Sequence, residues 1–322
     1  MRVLPINKRV ALQIVLTAAL AGAVSHWAAA QAPPETCQSL WRDLEAAVKT
    51  RNLNAAKDAN RKIQVGEGCN PLRVNAKSAM VDAYLQEDAR QEKTGAPPAE
   101  RLAALSGALV SYGKRDDWEL RLKIADLKLR QAEAGDKAQY PALSQAYYDV
   151  LQAAEAAPPS RARPPRAELE RVAMLAYQYQ ALSPTPPKGR GLFGRGVRQI
   201  FVGRTPVPLQ FVYNKAELTD LGLSEAERVV KELKDDNNPR IHLIGHTDPT
   251  GSHPFNDELS LRRAERIKKF LTDHGYPGSQ ITIEGRGKRE SEPFKAKIVN
   301  PTRFSPAEID QILRRVEVVW KE

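Results

Sequence analysis

An acidic and a basic side chain in the C-terminal third of the chain are spaced so that both can face one cleft. Asp248 follows an alternating apolar segment, residues 241–245, which predicts a short buried strand. Arg263 lies about two turns into a predicted amphipathic helix, for which Asn256 is the expected N-cap. A fixed carboxylate beside a fixed guanidinium can bind a zwitterionic group, because the arginine takes the carboxylate and the aspartate takes the ammonium. We therefore expect a binding site between this strand and this helix.

Several short motifs extend this pattern along the chain. In order, they are Gly-His-Thr-Asp at 245–248, Gly-Ser at 251–252, Asn256, Leu-Ser-Leu-Arg-Arg-Ala at 259–264 and Arg-Arg-Val-Glu at 314–317. They resemble the peptidoglycan-binding domain of the outer-membrane protein A (OmpA) family, which also occurs in the peptidoglycan-associated lipoprotein and in flagellar stator proteins. The resemblance implies that Asp248 and Arg263 hold the diaminopimelate of the cell-wall stem peptide. It also implies that the same pocket is lined by Thr247, Asn256 and Leu259.

Composition is that of a folded protein with room for two domains. The 322 residues include 27% charged and 42% hydrophobic side chains, and the net charge is +10. Such a positive charge favours polyanionic partners, which include nucleic acid, anionic lipid and acidic wall polymer. The cellular compartment decides among these three.

The N-terminus has the features of a secretory signal. Arg2, Lys8 and Arg9 precede an apolar run at 10–24, and small residues follow up to Ala30. The run is shorter than the roughly 20 residues that a spanning helix needs, so cleavage after Ala30 is favoured over a retained membrane anchor. Export argues against a nucleic-acid partner and predicts a periplasmic protein associated with the cell wall or the outer membrane.

The chain contains two cysteines, Cys37 and Cys69. In an oxidising compartment an isolated pair close in sequence predicts a disulfide, and two buried thiols are the alternative. The pair has no clustered histidines, which argues against a zinc site.

Composition along the chain predicts a signal peptide at 1–30, an all-α domain at 31–182 and a basic Pro/Gly linker at 183–204. The resemblance implies that the fourth segment, at 205–322, is an OmpA-like domain. The all-α domain is rich in strong helix formers, and its breaks predict helical hairpins without a fixed repeat. Its helices are predicted at 36–49, 54–63, 74–91, 99–112, 118–134, 141–156 and 166–181. Five tyrosines of this domain are expected in the core rather than on a recognition surface, namely Tyr140, Tyr147, Tyr148, Tyr177 and Tyr179.

The last domain is predicted as α/β, with a small mixed sheet packed by helices. Strands are expected at 208–213, 241–245, 281–284 and 315–319. Helices are expected at 221–233, from Asn256 to about Gly275, and from a capping box at Ser305 to Leu313.

Neither catalytic groups nor metal ligands are predicted. His242 and His246 lie on one side of a strand, with His253 and His274 nearby, but the carboxylate spacing of a zinc hydrolase is missing. The sequence has no nucleophile elbow, phosphate loop or second catalytic carboxylate at a recognisable spacing. We therefore expect a binding protein that is not an enzyme and needs no cofactor.

Residues 288–304 depart from the family pattern, and Leu313 replaces the usual Asn. The departure indicates either altered pocket details or a partner surface. The expected function is noncovalent peptidoglycan binding, with the helical domain holding an unidentified envelope protein. The alternative is an assembly or secretion scaffold whose OmpA-like domain mainly contacts proteins.

Overall fold

A computed structural model describes residues 33–321, except 114, 115, 134, 159, 161, 186–203 and 208. The predicted signal peptide therefore lies outside the described residues, as does most of the predicted linker. The N-terminal half is helical, as predicted, and its helices are α1 (Glu35–Lys49), α2 (Leu53–Val65), α3 (Arg73–Lys93), α4 (Pro98–Tyr112), α5 (Trp118–Gln131), α6 (Tyr140–Ala156) and α7 (Arg166–Ala181).

Capping residues explain where these helices begin and end. The Asn52 side chain accepts a 3.1 Å hydrogen bond from the Ala55 N–H at the start of α2, and Asp117 caps α5 in the same way. Gly113 ends α4 in the left-handed conformation. Each helix packs against the next one along the chain, as predicted for hairpins. Across the described part of the chain, every helix is too short or too polar to cross a membrane.

The two cysteines form the predicted disulfide. Cys37 in α1 and Cys69 after α2 are both buried, and their Cα atoms are 5.4 Å apart. The bond lies in a local core that packs α1, α2 and α3 together around Leu44, Ile63 and Met80. It therefore ties the start of α1 to the turn between α2 and α3.

The C-terminal domain contains a four-stranded mixed sheet, which confirms the predicted fold class. Its strands are β1 (Arg204–Val207), β2 (Arg240–Gly245), β3 (Ile281–Gly285) and β4 (Val316–Lys321), and its helices are α8 (Asp220–Asp235), α9 (His253–Asp273), α10 (Ser291–Lys295) and α11 (Pro306–Leu313). The strand order is β1-β4-β2-β3, with β2 and β3 parallel and β4 antiparallel to both of its neighbours. Helix α9 connects β2 to β3 and packs against both.

Glycine at the end of β2 allows α9 to approach the sheet closely. A Cβ atom on Gly245 would lie 2.0 Å from the backbone oxygen of Ser260 in α9. Any larger residue would push the helix away from the strand end. Since Asp248 follows β2 and Arg263 lies on α9, this contact sets the spacing of the two candidate ligand-binding residues.

Two predicted details of this domain are wrong. The first strand is not 208–213, because β1 ends at Val207 and Phe211 forms only an isolated bridge with Leu218. The apolar alternation continues into the loop before α8, so periodicity could not locate the end of the strand. Asn256 does not cap α9, since Ser252 does so by accepting a 3.4 Å hydrogen bond from the Phe255 N–H. Helix α9 therefore begins one turn earlier than predicted.

A single hydrophobic core joins the helical domain to the OmpA-like domain. The five predicted core tyrosines are buried in it, together with side chains from the segment that departs from the family pattern and from α11, which are Phe294, Ile298, Phe304, Ile312 and Leu313. The Tyr177 hydroxyl donates a 2.7 Å hydrogen bond to the Ile312 carbonyl. Gln178 and the Val299 backbone form two further hydrogen bonds, of 3.0 and 3.1 Å. The departure at 288–304 thus forms the surface on which α5, α6 and α7 pack.

Candidate ligand-binding cleft

Asp248 lies in the loop after β2 and is 8% exposed. Its Oδ1 accepts a 3.0 Å hydrogen bond from the Thr250 N–H. Its Oδ2 accepts a 2.8 Å hydrogen bond from a guanidinium nitrogen of Arg314, just before β4. This second contact is a charge-assisted pair at the rim of the cleft, since the Arg314 side chain is 21% exposed.

Arg263 is almost completely buried, with 1% of its surface exposed. Its Nε donates a 3.2 Å hydrogen bond to the Lys215 carbonyl, and its guanidinium lies 5.0 Å from the centre of the Phe211 ring. One terminal nitrogen, Nη1, is buried without a hydrogen-bond acceptor among the described residues. A buried donor of this kind is costly unless a ligand satisfies it.

The charges around Arg263 leave it protonated at neutral pH. Burial, and then the positive charge of Arg314, lower the pKa of Arg263 to about 10, while the carboxylate of Asp248 opposes the shift. Two cations and one anion therefore meet in the cleft. Such a site favours a ligand that brings a carboxylate as well as an ammonium group.

The direct partner of Asp248 is Arg314. The sequence predicts Asp248 and Arg263 in one cleft, and the charge of Asp248 does act on Arg263, but the ion pair among the described side chains joins Asp248 and Arg314. The cause is the antiparallel pairing of β2 with β4, which places Gly245 opposite Val316 and brings Arg314 to the end of β2. The sequence contained a signal for Arg314 in the Arg-Arg-Val-Glu motif, but not for its contact.

The other three predicted pocket residues support the cleft in different ways. Thr247 holds the loop, because its N–H donates to the Gly287 carbonyl and its own carbonyl accepts from Ser291. The Asn256 side chain donates hydrogen bonds of 2.9 and 3.0 Å to the carbonyls of Thr250 and Ser252. Leu259 is buried one turn before Arg263 on α9. Thr247 and Asn256 thus fix the loop that carries Asp248.

His246 lies in a buried polar cluster behind the cleft. Its Nε2 is 3.4 Å from a carboxylate oxygen of Glu317 and 3.9 Å from one of Glu290. These three residues are close enough to share a metal ion. The Arg315 guanidinium already lies 2.8 Å from Glu317 and 3.7 Å from the Phe294 ring centre, so the carboxylate has a cationic partner. The arrangement is that of a structural charge cluster.

The four histidines considered for a metal site do not converge. His242 contacts Glu284 on β3, with 3.0 Å between Nε2 and Oε2, whereas His246 faces Glu317 on β4. His274 contacts the Phe270 carbonyl at the end of α9, and His253 is exposed at its start. Among the described residues, these side chains belong to separate local contacts.

The C-terminal region matches a known protein family. Residues 210–300 match the OmpA family. Outer membrane protein A of Shimwellia blattae is 30% identical over 115 residues, which cover 34% of this chain and 47% of that protein. Outer membrane protein A of Buchnera aphidicola is 35% identical over 81 residues, which cover 24% of this chain and 23% of that protein. The chain therefore spans less than half the length of these relatives.

Two solved structures are among those similar to part of this chain. The periplasmic domain of Helicobacter pylori MotB (residues 78–256) is 22% identical, with coverage of 37% of this chain and 73% of that chain and a TM-score of 0.28. The cell wall anchor of the T6SS from Pseudomonas aeruginosa is 22% identical, with coverage of 37% and 80% and a TM-score of 0.28. By the match of residues 210–300 and the similarity to outer membrane protein A, the C-terminal part of this chain, which carries the cleft, is an OmpA-like domain.

Proposed function

We propose that the protein binds peptidoglycan noncovalently in the periplasm, through the diaminopimelate of the stem peptide. The observation that carries this proposal is the buried Arg263 beside the Asp248–Arg314 pair, since its Nη1 has no hydrogen-bond acceptor among the described residues. A ligand carboxylate satisfies the guanidinium of Arg263, and Asp248 accepts hydrogen bonds from the ligand ammonium. The match of residues 210–300 to the OmpA family supports the same ligand.

Arg314 gives this site its charge balance. The cleft holds one more positive than negative side chain, counting Arg263, Arg314 and Asp248, so it attracts a ligand whose free end carries a carboxylate. When the ammonium of the ligand reaches Asp248, it shares the carboxylate with Arg314. The ion pair seen in the described structure thus keeps Asp248 oriented toward the cleft until a ligand binds.

Sedimentation with purified sacculi tests the proposal. The mature protein should sediment with sacculi, and free diaminopimelate should displace it. Lysine is the matched competitor, because it keeps the terminal ammonium but lacks the second carboxylate, and it should be much weaker. If salt releases the protein from the sacculi and the two competitors do not differ, binding would be due to surface charge instead. Release of soluble wall fragments would contradict the proposal that the protein is not an enzyme.

We propose further that the N-terminal helices bind an envelope protein. Helices α5 to α7 contribute to the core shared with the OmpA-like domain. Among the described residues, the cores around α1 to α4 consist of helical-domain side chains. Val65 and Val74 are 78% and 76% exposed at the ends of α2 and α3. Capture of a defined envelope protein by the parent, lost when both valines become Asp, would support this role.

The sacculus sedimentation and partner capture assays also distinguish a wall anchor from the alternative role, an assembly scaffold. A scaffold would capture its partner without sedimenting with sacculi. A wall anchor would do both.

A further inference from the structure

A cavity of about 160 Å³ lies where the helical domain meets the ligand-binding cleft. It is lined by Ala181 at the end of α7 and, from the OmpA-like domain, by Leu209, Gln210, Phe211, Gln311 and Arg314. Two of these residues belong to the cleft as well, since Arg314 pairs with Asp248 and the Phe211 ring lies beside Arg263. The cavity and the cleft therefore share a wall.

The helical domain orients two glutamine side chains in this cavity. The Gln311 Nε2 donates a 2.8 Å hydrogen bond to the Ala181 carbonyl. The Gln210 Nε2 donates to the carbonyls of Ala181 and Ser183, at 3.3 Å in each case. A carboxamide held by its nitrogen has its oxygen available as an acceptor. In the part of the chain that the structure describes, neither glutamine oxygen accepts a hydrogen bond.

We propose that this cavity is a subsite for a peptide group next to diaminopimelate, formed jointly by the two domains. The inference rests on the proposed function and extends it. The amide oxygens of Gln210 and Gln311 accept hydrogen bonds from ligand N–H groups, and the Arg314 guanidinium donates to a ligand carbonyl. The apolar side chains of Ala181 and Leu209 leave space for a small side chain such as that of alanine.

The proposal assigns a binding role to the helical domain. The end of α7 supplies the carbonyl groups that orient both glutamines, so the subsite requires the two domains in their observed arrangement. An OmpA-like domain alone has the charged cleft but lacks this wall. The complete chain should therefore distinguish a stem peptide from the free amino acid.

Calorimetric titration of the mature protein with two probes tests this subsite. The parent should bind the stem tetrapeptide more tightly than free diaminopimelate. Gln210→Ala and Gln311→Ala should each weaken tetrapeptide binding by roughly tenfold, the value expected for one lost hydrogen bond, and leave diaminopimelate binding unchanged. Gln152→Ala, on the exposed face of α6, is the matched control and should change neither.

The outcomes separate the subsite from the proposed function. Equal affinity of the parent for both probes overturns the subsite and leaves diaminopimelate binding intact. Failure of the parent to bind either probe overturns both. The midpoint of thermal unfolding, measured for each variant, shows whether a glutamine acts only by holding the domains together. In that case both probes would bind more weakly by the same factor, which also overturns the subsite.

Discussion

At the scale of single residues, the cleft is organised by an incomplete set of charge contacts. Asp248 has a partner in Arg314, while the buried Arg263 retains a donor without an acceptor in the described structure. Buried donors without an acceptor are rare in protein interiors, because removing a donor from water without a new hydrogen bond is unfavourable. On the proposed function, the ligand ammonium would share Asp248 with Arg314, and the ligand carboxylate would give Arg263 its missing acceptor.

Substitution of the two residues should weaken wall binding without additive effects. We expect Asp248→Ala and Arg263→Ala each to cost roughly 2 to 4 kcal/mol, as for truncating one side of a buried charge pair. The double variant should lose less than the sum, because both residues serve one ligand group. Quantitative sacculus sedimentation measures these losses. Arg262→Ala is the control, since Arg262 is exposed and pairs with Glu258 along the helix. Binding of both single variants at the parent level would show that the cleft is misidentified.

His246 should make stability sensitive to acid. Burial lowers the pKa of His246, against the opposing hydrogen bond of Glu317, so the folded protein keeps this side chain neutral. The unfolded chain takes up a proton near the ordinary pKa of about 6.5, before the folded chain does. The contribution of the neutral His246 to the free energy of unfolding is therefore complete above about pH 6.5, and it decreases as the pH falls toward the pKa of His246 in the folded protein.

Urea denaturation over this pH range measures the effect. His246→Gln should show a smaller loss of unfolding free energy on acidification than the parent. His253→Gln, at an exposed position, is the control and should follow the parent. The assignment to His246 fails if both variants show the same slope as the parent.

At the scale of elements, local sequence patterns predicted most helices and strands, but they did not predict the long-range contacts. The strand, loop and helix that carry Asp248 and Arg263 follow one another, so spacing could place both residues at one cleft. The contact of Arg314 depends on the β2–β4 register, which no local pattern contains. The tyrosine spacing on α6 and α7 indicated buried faces, but periodicity does not reveal what covers a face. Here the segment at 288–304 covers these faces. Its departure from the family pattern could be seen in the sequence, but the packing role that explains the departure could not.

The disulfide should stabilise the first three helices specifically. Cys37 and Cys69 lie in the core shared by α1, α2 and α3, which is separate from the core of the OmpA-like domain. Reduction should destabilise these helices by roughly 3 to 4 kcal/mol on the chain-entropy argument, with no change in the OmpA-like domain. Peptide-resolved hydrogen exchange with and without reductant measures this. A double Cys→Ala variant should be insensitive to reductant, and full thiol labelling before reduction would exclude the bond.

At the scale of the whole molecule, α5 to α7 share a core with the OmpA-like domain and should unfold together with it. Phe294 packs edge-on against Tyr177, with 5.7 Å between ring centres, and its ring carries the Arg315 guanidinium. Buried hydrogen bonds cross the same interface, among them a 2.5 Å contact from Gln180 to Glu225. The helical domain is thus part of the structure that supports β4 and the end of α11.

Removal of Phe294 should destabilise both domains at once. We expect Phe294→Ala to lower the unfolding free energy by about 3 to 5 kcal/mol, the usual range for a buried aromatic ring. Hydrogen exchange should accelerate in α7 and in β4 together. Phe255→Ala is the matched control, since Phe255 is 41% exposed. Faster exchange in one domain only would show that the shared core does not couple them.

The shared core also means that the Pro/Gly-rich segment does not determine the distance between the two domains. Both of its flanks are fixed, because Ser183 is buried against the Gln210 side chain and β1 is paired with β4. On the proposed function, the distance between a captured protein and the wall therefore does not depend on the length of residues 186–203. Scission of this segment would leave two fragments that remain associated, as a noncovalent complex with the cleft intact. Mechanical load between partner and wall would pass through the packed side chains and not along the peptide chain that joins them.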